Sequence, residues 1–379
     1  MITIESLRLI WWLLLGIVLM GFAITDGWDL GAAVIYPLIA RTDTERRIVL
    51  NAIAPFWEGN QVWIILGAGA IFAAWPLVYA VAFSGSYFVV LLILLTMGIL
   101  RPPSFKYRSK IPNPKWRSIW DKVIFCGGFF PAILFGMLVG NVLLGLPFYF
   151  DNDLRIVYSG TFLGLLNPFA FWCGLTSLAM FVMHGGFYIS LKTNSPVRDR
   201  AILYSRFAAV LLVILFAGGG FLIATQINGY VLLSGADPLG YSNPLHKEVV
   251  PRIGAYLDNY ERYPITMLLP LLGFVGALLA AATARIGSGI IAFICSALSI
   301  VGLISTVGIS MFPFILPSAI NLSSGLTVWD ASSSALTLVI MLGATIVFLP
   351  IVLMYTSWVF YVMRGPVTAE TVTKEKQSY

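Results

Sequence analysis

Histidine is nearly missing from this chain: His184 and His246 are the only two in 379 residues. Two separated imidazoles cannot serve several haems, and a lone histidine in an apolar stretch is ordinarily a hydrogen-bonded core residue. Cysteine is as scarce. Cys126, Cys173 and Cys295 stand singly in apolar segments, which excludes a disulfide framework and a cysteine-spaced metal site and leaves them as small core residues. No Cys-x-x-Cys-His, no glycine-rich dinucleotide loop and no Walker sequence occurs. No metal site and no catalytic redox centre is therefore expected in the chain itself. Charge is also sparse, at 11% of residues against 59% hydrophobic. That balance excludes a soluble domain, because so much apolar surface could not be kept from water, and points to an all-α polytopic membrane protein. The net charge of +6 belongs to membrane topology and implies no nucleic-acid partner.

A membrane span needs about 20 apolar residues. About nine such stretches are present, at 9–37, 49–74, 78–100, 122–147, 161–191, 203–227, 264–284, 288–313 and 335–363. Together they read as one integral membrane domain over 1–379, with 364–379 as a tail. The first run follows Arg8 but has no small-residue cleavage site, so it reads as a retained helix rather than a signal peptide. Pro55 and a polar run interrupt the second, and Trp75-Pro76 makes a tight turn into the third. The longest connection, 228–263, carries the turn formers Asp237-Pro238-Leu239-Gly240 and Asn243-Pro244. No internal repeat is visible. With nine spans, 18 of the 23 Lys and Arg fall on one side, including Arg41, Arg46, Arg47, the stretch from Arg101 to Lys122, Lys192, Arg285, Arg364, Lys374 and Lys376. Only Arg8, Arg155, Lys247, Arg252 and Arg262 fall on the other. The positive-inside rule then puts the N-terminus outside (periplasmic) and the C-terminus in the cytoplasm.

What the chain does have is carboxylates in the wrong place. Asp26 and Asp29 lie in the first apolar stretch and Glu58 in the second, within Trp57-Glu58-Gly59-Asn60-Gln61-Val62-Trp63. An ionisable residue inside a membrane is expensive and by default marks an ion or proton path. Asp26 and Asp29, three residues apart, share a helix face. Glu58 stands about 16 Å of helix rise beyond Arg47, so two antiparallel helices are expected to bring Asp29 and Glu58 together in the inner half of the membrane. Asn60, Gln61 and the Trp63 indole add donors and acceptors able to order water. A satisfied interhelical hydrogen-bond cluster competes with that reading for Glu58, and for Asp26, between Thr25 and Gly27, a structural role is favoured.

Two further clusters have simpler readings. Arg101-Pro102-Pro103 ends the third span, and Lys106, Arg108, Lys110, Lys115 and Arg117 follow with Trp116 and Trp120 among them. These read as positive-inside anchors beside anionic lipid headgroups. Asp330 or a following serine is suited to cap the last helix.

Several blocks then become recognisable. Thr25-Asp26-Gly27-Trp28-Asp29-Leu30-Gly31 resembles a block of subunit II of the cytochrome bd quinol oxidases. So do Glu45-Arg46-Arg47-Ile48, the run from Trp57 to Trp63, Phe72-Ala73-Ala74-Trp75-Pro76, Phe83-Ser84-Gly85 and Tyr107-Arg108-Ser109-Lys110. Asn243-Pro244-Leu245, Met311-Phe312-Pro313-Phe314 and Leu326-Thr327-Val328-Trp329-Asp330 continue the series in order across nearly the whole chain. The resemblance implies two four-helix bundles plus a peripheral helix. It also implies a haem-free subunit in the bacterial inner membrane, supporting a partner subunit I that carries haems b and d and oxidises quinol at the outer face. The resemblance further implies that oxygen is reduced to water with cytoplasmic protons, generating a proton-motive force for aerobic respiration. Glu58 and Trp63 match the family's proton-path positions in subunit II, with Asp29 as a further member. Some members hold a structural quinone in this subunit, and small single-helix subunits attach to some complexes. The sequence departs from the family at Phe56, where His is frequent, at Lys106, where Asp is frequent, and at Glu58, a longer acid in place of Asp. A secondary transporter coupling ions through Asp29 and Glu58 is the main rival. It calls for repeats and paired broken helices in both halves. A purely structural partner for a cofactor subunit is the third reading.

Overall fold

A computed structural model of the chain describes residues 3–374; Lys376, counted above with the inner cations, lies outside the described residues. The chain begins with α1 (Ile4–Ile39), α2 (Asp43–Ile53), α3 (Trp57–Ala74) and α4 (Pro76–Gly85). A continuous helical stretch follows, made of α5 (Tyr87–Ile93), a π-helical segment (Leu94–Leu100) and α6 (Arg101–Tyr107). Then come α7 (Pro114–Leu144), α8 (Pro168–Lys192), α9 (Val197–Thr225), the short α10 (Asp258–Arg262), α11 (Leu268–Arg285), α12 (Gly289–Met311), α13 (Ala335–Val362) and α14 (Ala369–Lys374).

Among the described residues, eight helices are long and apolar enough to cross a membrane. The expected second span is the difference. It divides at Ala54-Pro55-Phe56 into α2 and α3, and the polar opening of α3 lowers its hydropathy. The third also divides, at Ser86, and then runs on to Tyr107, past its expected end at residue 100. Helix starts follow the capping residues. Asn113 and Asn167 each accept a hydrogen bond from the first turn and each precedes a proline, so α7 begins earlier than expected and α8 later. Ser334 caps α13, the serine option read from the sequence.

The helices form two four-membered groups: α1, α3, the Pro76–Tyr107 segment and α7, then α8, α9, α11 and α12. Helices α1, α7 and α8 make the seam, where small residues let backbones touch. A methyl group on Gly31 would lie 1.8 Å from the Phe181 carbonyl oxygen, and one on Gly128 would lie 2.7 Å from that of Leu30. Leu338 is the one fully buried residue of α13, which is thus the peripheral helix. Three two-stranded antiparallel hairpins lie in the connections at the end that carries Thr3: β1 (Phe148–Phe150) with β2 (Ile156–Tyr158), β3 (Asn228–Ser234) with β4 (Glu248–Ile253), and β5 (Phe314–Leu316) with β6 (Leu326–Thr327).

Charged side chains tie the connections together at both ends. At the hairpin end, the fully buried Arg8 donates to Ser332 Oγ and to the carbonyls of Pro238 and Gly240. Beside it the buried Lys247 ammonium pairs with Asp330 at 2.8 Å. At the opposite end Glu45 closes a capping box with Thr42 and accepts from both terminal nitrogens of Arg200. Those hydrogen bonds hold the Glu45 carboxyl at about 2, so the latch is ionised throughout the neutral range. Lys192 Nζ donates to the Met363 carbonyl, which anchors the end of α13.

Candidate functional site

Asp26 and Asp29 sit one turn apart on α1, and both are buried. The Asp26 Oδ1 atom accepts from Arg101 Nη2 at 2.6 Å, in a pair with no exposure on either side chain. Arg101 was expected at the inner surface among the anchoring cations. The structure corrects that placement. Helix runs unbroken from Tyr87 to Tyr107, so Arg101 lies nearly two turns inside its end, under Trp57, whose ring centroid is 5.9 Å from the guanidinium carbon. The sequence did hold a signal for it. Two acids on one face of an apolar helix need a countercharge, and a cation directly after an apolar run is the nearest source.

Asp29 is joined to α3. Asn60 Nδ2 donates to Asp29 Oδ2 at 2.8 Å. The expected meeting of Asp29 with Glu58 is thereby corrected, because the helix restarts after Pro55. Trp57, Asn60 and Trp63 then form its inward face at a spacing of three, while Glu58, Gly59 and Val62 turn outward. The Glu58 side chain is 66% exposed, and its Oε1 lies 3.6 Å from Lys106 Nζ. Lys106 is thus the neighbour of Glu58. Trp63 is buried against α1, where a methyl on Gly21 would come within 2.7 Å of its ring. Gln61 Nε2 donates to the Met97 carbonyl in the π-helical segment at 3.2 Å.

The result is a buried polar chain from Asn60 through Asp29 and Asp26 to Arg101, with Glu58 on the surface beyond it. It retains open hydrogen-bonding capacity. Asp26 Oδ2, Asp29 Oδ1, and Arg101 Nε and Nη1 are all buried without a protein partner. Polar atoms left open in a low-dielectric interior are costly unless something else satisfies them, and they mark where water or a mobile proton is accommodated.

His184 is fully buried on α8. Its Nε2 donates to the Ile24 carbonyl at 3.0 Å, its Nδ1 lies 2.7 Å from Ser296 Oγ, and its ring stacks on Phe293. Both nitrogens therefore have protein partners, as in the hydrogen-bonded reading. His246 is exposed in the long connection. Phe56 is buried against Tyr188 and Phe360. Among the described residues, no three His, Cys, Asp or Glu are grouped to hold a metal ion.

Residues 7–363 match the family model described as cytochrome bd terminal oxidase subunit II. The chain belongs to that family. It is 45% identical to a probable cytochrome oxidase subunit 2 of Haemophilus influenzae, over 100% of both chains. It is 44% identical to the cytochrome bd-I ubiquinol oxidase subunit 2 of Escherichia coli K12, again over 100% of both. The cytochrome bd ubiquinol oxidase subunit 2 of Bacillus subtilis is 29% identical, covering 96% of this chain and 97% of that one. A chain of the bd oxidase from Geobacillus thermodenitrificans superposes with a TM-score of 0.62 at 14% identity, covering 94% and 98%, and that likeness concerns the fold. The protein is thus a subunit of a cytochrome bd terminal oxidase, an oxidoreductase complex of the respiratory chain that contains haems and a partner subunit I. As subunit II it is a multi-pass protein of the bacterial inner membrane.

Proposed function

We propose that this subunit II binds no haem itself, supports a haem-bearing subunit I, and carries cytoplasmic protons towards that partner's oxygen site. In this reading the whole complex oxidises quinol, reduces oxygen to water and generates a proton-motive force. The observation that carries the proton role is the intramembrane chain of Asn60, Asp29, Asp26 and Arg101 with its four open polar atoms. A wholly structural cluster would be expected to close its hydrogen bonds. Glu58, exposed on the side of α3 away from Asn60, offers a titratable group at the surface, and Trp63 fixes α3 against α1 next to it. Asp26 is already paired with Arg101, so Asp29, whose side-chain partner is the neutral Asn60, is the buried acid left to exchange protons, with Asn60 orienting it. The direct test is purification through a tag on this chain. A haem-containing membrane partner should accompany it, and the preparation should consume oxygen on addition of quinol. Recovery of the chain without haem, or with haem but no quinol-dependent oxygen uptake, would refute the reading.

Haem attachment is assigned wholly to the partner. His184→Ala in assembled complex should therefore leave every haem absorption band in place, since that ring is already held by Ile24 and Ser296. Loss of one band from stably assembled variant would show a ligand here.

We also assign the N-terminus to the periplasm and the tail to the cytoplasm. The clustering of Arg41, Arg46, Arg108, Arg117 and Lys192 at the end opposite the hairpins supports it. A cysteine at Gly240 should react with impermeant thiol reagents in intact cells, and one at Gln377, outside the described residues, should not. The reverse pattern would invert the topology. An apolar cavity of about 1140 Å³, bordered by Leu19, Gln61, Phe135, Trp172, Phe216 and Leu303, is the space we assign to a structural quinone. Membrane lipids and small single-helix subunits have the exposed apolar faces of α9 and α13 open to them.

A further inference from the structure

The turn between α6 and α7 and the first turns of α7 carry buried side-chain donors with no hydrogen-bond partner among the described residues. Arg108 Nη1, Ser109 Oγ, Arg117 Nε and Trp120 Nε1 are all buried without a protein partner. Three of the four cannot act as acceptors, so no rearrangement among themselves satisfies them. The two arginines converge. Arg108 Nη2 lies 2.9 Å from Asp43 Oδ1, and Arg117 Nη1 lies 2.7 Å from Asp43 Oδ2. Ser109 follows Arg108, while the Trp120 ring packs 5.6 Å from Trp116 and 6.2 Å from Tyr107, the residue before Arg108. The acids are already engaged, since Asp121 takes Arg108 Nε at 2.5 Å and Arg46 Nη1 at 2.7 Å. Among the described residues, the ion pairs of Arg46, Arg108 and Arg117 are with Asp43 and Asp121, three cations to two acids, which leaves a positive charge in excess. Arg108 is fully buried although it is charged.

We propose that the α6–α7 turn is a binding site for the phosphate group of one anionic phospholipid, held by Arg108, Ser109, Arg117 and Trp120. A phosphodiester is an acceptor-only group with a negative charge, which matches a set dominated by donors with a positive excess. The position fits a lipid rather than free phosphate. The turn joins the ends of two candidate spans, Tyr87–Tyr107 and Pro114–Leu144, at the level of the headgroups. Exposed Tyr107, Ile111 and Ile119 lie beside it as apolar surface for acyl chains. This site is separate from the Asp29 chain and would order the turn that leads from Arg101 and Lys106 back into α7.

The test uses the delipidated complex in detergent, titrated with phosphatidylglycerol, phosphatidylcholine or inorganic phosphate and followed by native mass spectrometry. Wild type should retain a tightly held phosphatidylglycerol that millimolar phosphate does not displace and that phosphatidylcholine replaces poorly. The double variant Ser109→Ala/Trp120→Phe keeps the packing but removes two donors, and should weaken that binding by about fivefold or more. Arg117→Gln should weaken it further, while oxygen uptake stays near wild type as evidence of assembly. Unchanged phosphatidylglycerol binding in the double variant would overturn the proposal, because the lipid would then sit elsewhere. Displacement by inorganic phosphate would overturn it too, by showing a site for a free anion.

Discussion

Arg101→Met is expected to cost the complex most of its assembly, and adding Asp26→Asn is expected to restore it. The two side chains form a buried pair at 2.6 Å with no exposure on either. Removing one member of such a pair leaves an uncompensated charge, at about 3–5 kcal/mol, whereas replacing both with neutral groups of similar size is often close to neutral. The two single variants should differ. With Arg101 gone, the Asp26 carboxyl can take up a proton and become neutral. With Asp26→Asn, the guanidinium has no such escape, since arginine stays protonated in proteins. Asp26→Asn should thus be at least as damaging as Arg101→Met, and the double variant should exceed both. Yield of haem-containing complex and its apparent melting temperature measure this directly. A double variant as poor as either single one would mean that Arg101 does something other than balance Asp26.

That pair also shows where sequence reading succeeds and where it stops. The membrane class, the helical fold and the burial of Asp26 and Asp29 in an apolar helix follow from hydropathy, which is a local property, whereas Glu58, read as a third buried acid, is exposed. Partner choice is not local. Asp29 meets Asn60 rather than Glu58 because Pro55 ends one helix and starts another, and the new start sets which side of α3 looks inward. A shift of two residues along a helix turns a side chain by roughly 200°, enough to exchange a buried position for a surface one. Arg101 was misplaced for a related reason. Its span continues through a π-helical segment and two prolines, both of which usually advertise an end. Helix starts marked by a capping Asn and a following Pro were better signposted, because the cap acts within a few residues.

Glu58→Gln should lower quinol-driven oxygen reduction by roughly tenfold or more, about 1.4 kcal/mol or more on the limiting barrier, if proton delivery limits turnover. The substitution keeps shape and hydrogen bonding and removes only the titratable group. Because the side chain is 66% exposed beside Lys106, no core contact is lost and assembly should be near normal. Glu58→Asp should recover much of the rate, since a titratable carboxylate remains on the same exposed face of α3. Asp29→Asn tests the buried end of the same path. The Asn60 bond can persist with the new amide oxygen as acceptor, so any loss of rate reports the missing proton site rather than a missing contact. Its effect on turnover should be smaller than that of Glu58→Gln. Oxygen uptake by purified complex gives the rates, and a voltage-sensitive dye in liposomes reports whether proton uptake still accompanies turnover. Full quinol-driven turnover with an unchanged dye signal in Glu58→Gln would place the protons on another route. Glu58 would then be the partner of Lys106 at the surface of α3, and the buried Asp29–Asn60 contact would be a packing device between α1 and α3.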